Sequence, residues 1–146
     1  MNTTAEQLFH LIEKGGSPYQ VVEEAEKRLK EAGFEKLEFH TAWGLTGGKS
    51  YYMIHHGTTL IAFTIPKTLY YRESFRMAAA HTDFPCLRIK PNPEMEMSGY
   101  QQLNVEVYGG AILNTWLDRP LGIAGKVALA SDCLLYTSPS PRDISG

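Results

Sequence analysis

The residue types best suited to catalytic chemistry in this sequence are a histidine and an aspartate two positions apart, His81 and Asp83. They follow residues 75–80, a short apolar run with three alanines that suggests a central strand or a helix segment, and its short length favours the strand. Side chains two apart on a strand face the same side, so both could point into one crevice at the strand's carboxyl end, where α/β sheets bind ligands. A neutral imidazole is a good zinc ligand, and a nearby carboxylate can orient its ring. The same triplet is also typical of polar side chains that meet solvent where a strand ends.

Other patterns are less suited to chemistry. The glycine-rich residues 44–50 resemble a phosphate-binding loop, but Trp43 occupies the position of its first glycine, and Gly44 lies one residue too close to the Gly-Lys-Ser end. A strand is predicted to follow, whereas a phosphate loop must lead into a helix. We interpret the segment as a turn between strands. The remaining histidines lie on a charged helix face, on the polar side of a strand or beside a turn, and we interpret them as non-functional: His10, His40, His55 and His56.

Two N-terminal helices followed by strands are predicted to position these residues. Residues 4–14 have apolar side chains at helical spacing and end at a glycine pair. Ser17, Pro18 and Gln20 form the pattern of a capped helix start, and this second helix is predicted to end at Gly33. Alternating or β-rich runs predict the strands 37–41 and 87–90, and a hairpin of residues 50–55 with 59–65.

Composition and charge limit what the chain can bind. Its 146 residues include 14 Lys and Arg against 16 Asp and Glu, and the net charge of -2 disfavours a nucleic-acid partner. The longest uncharged stretch, residues 50–66, is broken by histidines and a glycine and predicts no membrane span. The N-terminus lacks a signal-peptide pattern, and Cys86 and Cys133 form no disulfide framework. We therefore expect a cytoplasmic protein that binds neither nucleic acid nor membranes.

Several motifs, in order along the chain, resemble the aspartyl aminopeptidase family of zinc metallopeptidases, which includes the vacuolar aminopeptidase I type. His81-Thr82-Asp83 with Pro85 looks like the family's metal-binding strand end, although Phe84 stands where the family often has serine. The other matching motifs are Ser17-Pro18-Tyr19, residues 87–91, Val105-Glu106-Val107-Tyr108-Gly109-Gly110, Thr115-Trp116-Leu117-Asp118-Arg119 and residues 124–127. The resemblance covers nearly all of residues 8–130.

The resemblance implies an α/β fold, in which the N-terminal part of a mixed-sheet metallopeptidase catalytic domain runs into an inserted β-rich dimerisation domain. On this basis we expect residues 1–85 to belong to the catalytic domain. Residues 86–132 would begin the insert, which in the family serves oligomerisation and covers the active site. The whole protein is therefore expected to be a homo-oligomer.

The resemblance also implies an activity, removal of N-terminal residues, chiefly Asp or Glu, from a peptide substrate. In the family, two zinc ions (Zn²⁺) activate water and polarise the scissile carbonyl, and a carboxylate base takes the water's proton. Carried over to matching positions, His81 is a zinc ligand and Asp83 a carboxylate that positions a ligand or tunes the metal. Such a site needs about five ligands and a general base, of which His81 is the one matching ligand. We therefore expect an N-terminal fragment that is inactive alone.

Two other functions stay open at this point. Another two-metal hydrolase of the same clan, such as a deacylase, is one of them, but the motifs after Asp83 argue against it. A non-catalytic binding or assembly domain would keep the fold and lose the site. Acidic ligands and a late histidine in the downstream gene would distinguish an enzyme from the assembly domain.

The last residues, 133–146, do not resemble the family, and residues 133–143 resemble a translated sequencing-library adapter. We therefore expect a non-native tail, with a natural Ser/Pro-rich tail as the alternative. The prediction is that the source DNA changes from native gene to adapter near codon 133. Sequencing across this junction checks it, and a native gene that continues through that codon would contradict it.

Overall fold

Two helices, seven strands and one 3₁₀ helix form the part of the chain that the computed structural model describes, which is residues 3–68 and 74–128 and the backbone of residues 134–137. In chain order they are α1 Thr3–Lys14, α2 Pro18–Glu31, β1 Glu35–Lys36, β2 Ser50–His55, β3 Thr59–Thr64, β4 Cys86–Met97, β5 Tyr100–Tyr108, the 3₁₀ helix Leu113–Thr115, β6 Gly125–Ala128 and β7 Leu134–Thr137. This combination confirms the predicted α/β class.

The chain divides into two compact units. Unit 1 comprises Met1–Thr82 with Gly122–Gly146, and unit 2 comprises Asp83–Leu121. The domain limits that the resemblance implies, at residues 85 and 132, stay predictions. None of the helices in the described residues is long and apolar enough to cross a membrane.

Helix α2 ends where the sequence predicts, at a glycine that reverses the chain. Gly33 has a φ of 81°, a conformation that glycine adopts at little cost. The Phe34 N–H donates to the Leu29 carbonyl and the Gly33 N–H to the Lys30 carbonyl, both at 3.0 Å. These two bonds form a Schellman motif, which satisfies carbonyls that the helix leaves unpaired.

The start of α2 is also where it was predicted, with one difference in its capping. Ser17 is the N-cap, with extended backbone, and Pro18 follows in the first turn. The Ser17 hydroxyl donates to the side-chain oxygen of Gln20, and no helix N–H donates to the Ser17 side chain. The predicted capping box is therefore wrong in its pairing, because the two side chains bond to each other.

Helix α1 confirms the predicted helix over residues 4–14 but buries none of its side chains. Phe9 and Ile12 are more than 60% exposed. A polar contact ties α1 to α2, in which the Arg28 guanidinium donates to the Gln7 carbonyl at 3.0 Å. The apolar stripe of α1 therefore stays on the surface of unit 1.

The three-stranded sheet of unit 1 is mixed, since β1 is parallel to β2 and β2 is antiparallel to β3. The β2–β3 register runs from Ser50 opposite Thr64 to His55 opposite Thr59, which confirms the predicted hairpin. Its turn, residues 56–58, has positive φ at two positions, 51° at His56 and 72° at Gly57. These values allow the tight reversal.

The first strand is shorter than predicted and begins earlier. Residues 37–41 do not form the predicted strand, because local hydrogen bonds to one carbonyl fold the chain into a turn. The Glu38 carbonyl accepts the Thr41 hydroxyl at 3.2 Å and the Trp43 indole N–H at 2.9 Å. Parallel pairing with β2 is therefore confined to Glu35–Lys36, extended by one bond from the Leu37 N–H to the Tyr52 carbonyl.

The run before His81 is not the predicted strand. Residues 74–80 have no regular structure, and Phe75 and Met77 are 92% and 90% exposed. Alanine is a poor strand former, and no described strand pairs with this segment to satisfy its backbone groups.

Unit 2 is a long hairpin, β4 antiparallel to β5, followed by the 3₁₀ helix. Strand β4 extends well beyond the predicted residues 87–90 and passes through Pro91 and Pro93. The register shifts between Ile89 and Glu94, an irregularity of the kind that accommodates proline in a strand.

Strands β6 and β7 form a separate antiparallel pair, from Gly125 opposite Thr137 to Ala128 opposite Leu134. The tail that was predicted to be non-native thus contributes the backbone of Leu134–Thr137. Residues 133 and 138–146 lie outside the described residues, and the origin of the tail stays a prediction.

The core of unit 1 is built around β2, and a polar side-chain contact links this strand to α2. Tyr52 is fully buried, and its hydroxyl donates to Glu26 Oε1 at 3.0 Å. Burial raises the pKa of Tyr52 to about 12, and the bond to Glu26 adds to this effect.

Burial alone would also raise the pKa of Glu26, but hydrogen bonds from Tyr52, Lys30 and Lys36 outweigh it and lower that pKa. The stability from Glu26 is therefore present above its unfolded-state pKa and is lost as the pH falls through its folded-state pKa.

Tyr52→Phe should lower the free energy of unfolding by about 1–2 kcal/mol, because Glu26 loses a buried donor. Urea unfolding followed by circular dichroism measures this. Tyr100→Phe is the matched control, since Tyr100 is 72% exposed and loses only a solvated hydroxyl. Equal stability of Tyr52→Phe and the control would contradict a stabilising role for the bond.

Candidate active site

His81 lies at the end of the irregular segment of unit 1, where its side chain is exposed. The next residue anchors this segment, because the Thr82 hydroxyl donates to the Thr58 carbonyl at 2.9 Å in the turn between β2 and β3. The expectation that His81 and Asp83 share one face of a strand is therefore wrong in its premise, since residues 74–80, directly before His81, form no strand. Their predicted roles as zinc ligand and supporting carboxylate stay predictions.

Asp83 opens unit 2, and a tyrosine from the far end of the hairpin binds its carboxylate. The Tyr108 hydroxyl donates a hydrogen bond to Asp83 Oδ2. The strand register explains this contact, because Tyr108 is the last residue of β5 and lies opposite Cys86, the first residue of β4. Asp83 precedes Cys86 by three residues in the sequence, so the end of β5 reaches the chain just before β4 begins.

The face of the Tyr108 ring also contacts a neighbouring side chain, that of Arg88. The Arg88 guanidinium carbon lies 4.5 Å from the ring centroid, which is within the range of a cation–π interaction. Arg88 and Tyr108 are on paired strands, and the cross-strand partner of Arg88 is Glu106. The carboxylate, the phenol and the guanidinium thus form a cluster within unit 2.

The charge of Asp83 affects the phenol. The hydrogen bond to Asp83, followed by the negative charge of that carboxylate, raises the pKa of Tyr108, while Arg88 acts weakly in the opposite direction. A raised pKa keeps the phenol protonated at neutral pH. Tyr108 therefore stays a hydrogen-bond donor to Asp83.

The next residue, Gly109, allows the close approach of the two chain segments. It has a φ of 78°, and a Cβ at this position would lie 3.0 Å from the Cα of Pro85 and 3.2 Å from the Pro85 nitrogen. Any side chain would have to displace backbone, which cannot give way as a flexible side chain can. Glycine at position 109 is therefore part of what brings Tyr108 to Asp83.

Neither Tyr108, which binds Asp83, nor Arg88, which packs on the Tyr108 ring, is predicted as such from the sequence. In the sequence, Tyr108 is one residue of a motif that matches the family, and Arg88 lies in the predicted strand 87–90. The signal was the hairpin register, but the prolines in β4 hid the length of the strand and the register shift within it. Glu106, the cross-strand partner of Arg88, is exposed.

The described residues do not make up a zinc site. No group of three or more His, Cys, Asp or Glu side chains among residues 3–68 and 74–128 is arranged to hold a metal ion. A zinc ion in a protein takes three or four protein ligands, whereas the sequence assigns one, His81. The ligand set present in this part of the chain therefore does not fit the ion by itself.

The glycine-rich segment and the histidines other than His81 are the remaining sequence features considered for a binding or catalytic role. The glycine-rich residues 44–50 lead into β2, so they do not form a phosphate loop at a helix N-terminus. His10 Nε2 lies 3.5 Å from Glu24 Oε1, and His55 packs its ring 3.8 Å from that of His56 and 5.1 Å from that of Phe39.

Comparison with known proteins gives consistent matches along the chain. The profile of the family described as aminopeptidase I zinc metalloprotease (M18) matches residues 11–135. The "Probable M18 family aminopeptidase 2" of Clostridium novyi is 41% identical over 133 residues, which are 90% of this chain and 31% of that protein. The chain thus spans about a third of the length of the curated relatives it matches.

Solved structures agree with the sequence matches. The mApe1 structure from Chaetomium thermophilum has a TM-score of 0.80 and 26% identity, over 92% of this chain and 32% of that chain. The S. cerevisiae mApe1 dodecamer has a TM-score of 0.73 and 26% identity, over 92% of this chain and 32% of that chain. The described fold therefore corresponds to part of these larger proteins.

Gly109→Ala should destabilise unit 2 more than Gly110→Ala does. Both glycines have positive φ, so each alanine costs about 1–2 kcal/mol in backbone strain. A Cβ at position 110 meets nothing within 4 Å, whereas one at position 109 meets Pro85, which should add about 1–3 kcal/mol. Denaturant unfolding followed by the fluorescence of Trp116, in a Trp43→Phe background, measures the difference. Equal losses in the two variants would contradict the close approach.

Proposed function

Because the chain belongs to the aminopeptidase I (M18) family of zinc metalloproteases, we propose that it is a segment of a zinc-dependent aminopeptidase. The whole enzyme removes single residues from the N-terminus of peptides. The observation that carries the proposal is the match of residues 11–135 to the family, which includes His81-Thr82-Asp83.

In this proposal the chain contributes part of an active site. His81 supplies one metal ligand, and Asp83 supplies a carboxylate that positions a ligand or tunes the metal. The described residues hold no complete ligand set, so in this proposal other residues of the whole enzyme supply the remaining ligands and the general base. The chain by itself is accordingly inactive.

The substrate preference in this proposal is for N-terminal Asp or Glu. It follows from the resemblance to aspartyl aminopeptidases in the motifs from His81 to Lys126. A peptide that carries an acidic N-terminal residue is therefore the substrate of choice for a first assay.

A homo-oligomeric enzyme is also part of the proposal, with unit 2 in the inserted oligomerisation domain. One related structure is described as a dodecamer. Unit 2 supports this role, because Ile112 and Leu117 are 71% and 68% exposed and apolar side chains of this kind suit a protein interface. The net charge of -2 and the lack of a disulfide framework favour a cytoplasmic enzyme that binds neither nucleic acid nor membranes.

The test is the activity of the full-length protein, expressed from a gene that continues without interruption past the codon of Lys126. It should release p-nitroaniline from aspartyl or glutamyl p-nitroanilide, lose this activity to a chelator and regain it with zinc. His81→Ala should lower kcat/KM at least about 100-fold, because a metal ligand is removed. The 146-residue chain should show no hydrolysis above the blank.

His10→Ala is the matched control, because His10 is also exposed and has no assigned role in the site. Full activity of His81→Ala would contradict the ligand role. A full-length protein that folds and oligomerises but cleaves no N-terminal residue would favour the non-catalytic assembly domain instead.

A further inference from the structure

The carboxylate of Asp83 receives a hydrogen bond from a residue distant in sequence, and this contact has a consequence for the proposed enzyme. We propose that Tyr108 is a positioning residue, which donates its hydroxyl hydrogen bond to Asp83 Oδ2 and holds this carboxylate in one orientation. Its part in the reaction rests on the proposed function, because Asp83 follows the predicted ligand His81 by two residues.

The backbone brings the tyrosine to the aspartate. Tyr108 ends β5 opposite Cys86, which begins β4. The hairpin register therefore decides which side chain of β5 lies beside the first residues of unit 2. A slip of one residue would turn the side chain at this position to the other face of the hairpin. At the neighbouring position, Gly109 lets the backbone approach Pro85 so closely that a Cβ there would lie only 3.0 Å from the Pro85 Cα.

Side-chain contacts restrict Tyr108 further. Its hydroxyl is used by Asp83, and its ring face lies against the Arg88 guanidinium at 4.5 Å. A phenol held at both its ring and its hydroxyl has little rotational freedom left. It can therefore restrict the carboxylate more than a solvent molecule in the same place could.

The chemistry of the pair suits this role. A phenol donates one strong hydrogen bond to a carboxylate without transferring its proton, and the pKa of Tyr108 is raised by that bond. Mutation of a carboxylate that supports a metal ligand typically lowers metal affinity or activity by about 10–100-fold, so the orientation of Asp83 affects the reaction. Tyr108 thus acts on the reaction through Asp83 and need not touch the substrate.

The experiment compares Tyr108→Phe with Tyr100→Phe in the full-length protein. Phenylalanine keeps the ring on Arg88 and removes only the hydroxyl. Tyr100 lies on the same strand and is 72% exposed, so it controls for the loss of a hydroxyl from β5. Tyr108→Phe should lower kcat for aspartyl p-nitroanilide about tenfold, with KM within about twofold and Tm within about 2 °C of the wild type.

A double variant separates positioning through Asp83 from other effects. If Tyr108 acts through this carboxylate, Asp83→Asn with Tyr108→Phe should have the same kcat as Asp83→Asn alone, within about twofold. A Tyr108→Phe enzyme with wild-type kcat would overturn the inference. So would a double variant whose kcat falls by the full tenfold below that of Asp83→Asn.

A spectroscopic readout keeps this inference separate from the proposed function. In an alkaline titration followed by tyrosinate absorbance, Asp83→Asn should lower the pKa of one tyrosine, the one whose signal disappears in Tyr108→Phe. If the wild-type protein has no aminopeptidase activity, the proposed function fails, and this titration still decides whether Tyr108 binds Asp83. An unchanged tyrosine titration in Asp83→Asn would overturn the contact.

Discussion

The register of the β4–β5 hairpin is the constraint on which the surroundings of Asp83 depend. Because Cys86 lies opposite Tyr108, the two ends of the hairpin meet at the point where the chain enters unit 2. Gly109 allows the chain after β5 to approach Pro85 closely. The Tyr108 hydroxyl then makes a specific hydrogen bond with the carboxylate of Asp83. A hairpin shifted by one residue would turn its side chains to the opposite face and lose this cluster, so the register decides which side chain contacts Asp83.

The helices and the first hairpin could be predicted because their signals are local. Pro18 after Ser17 marks the start of α2, Gly33 marks its end, and β-rich runs flank a short turn at Gly57. Each of these features depends on the residue itself and a few neighbours. The α/β class and the family motifs could likewise be predicted from such local patterns.

The strand before His81 and the partners of Asp83 could not be predicted, because they depend on contacts distant in sequence. An apolar run such as residues 75–80 becomes a strand only where another strand pairs with it, and no described strand does. Tyr108 meets Asp83 across 25 residues, through a strand whose prolines and register shift hide its length. The sequence identified Asp83 as a residue of interest, whereas the structure identified the residues that hold it.

In the proposed site, His81 is a ligand of a catalytic zinc ion and Tyr108 holds the neighbouring carboxylate. Both roles can be examined in a crystal structure of the full-length protein grown with zinc, with anomalous scattering used to locate the metal. We expect a zinc ion bonded to a ring nitrogen of His81, with the Tyr108 hydroxyl hydrogen-bonded to Asp83. A zinc ion bound to the protein without His81 among its ligands would contradict this expectation.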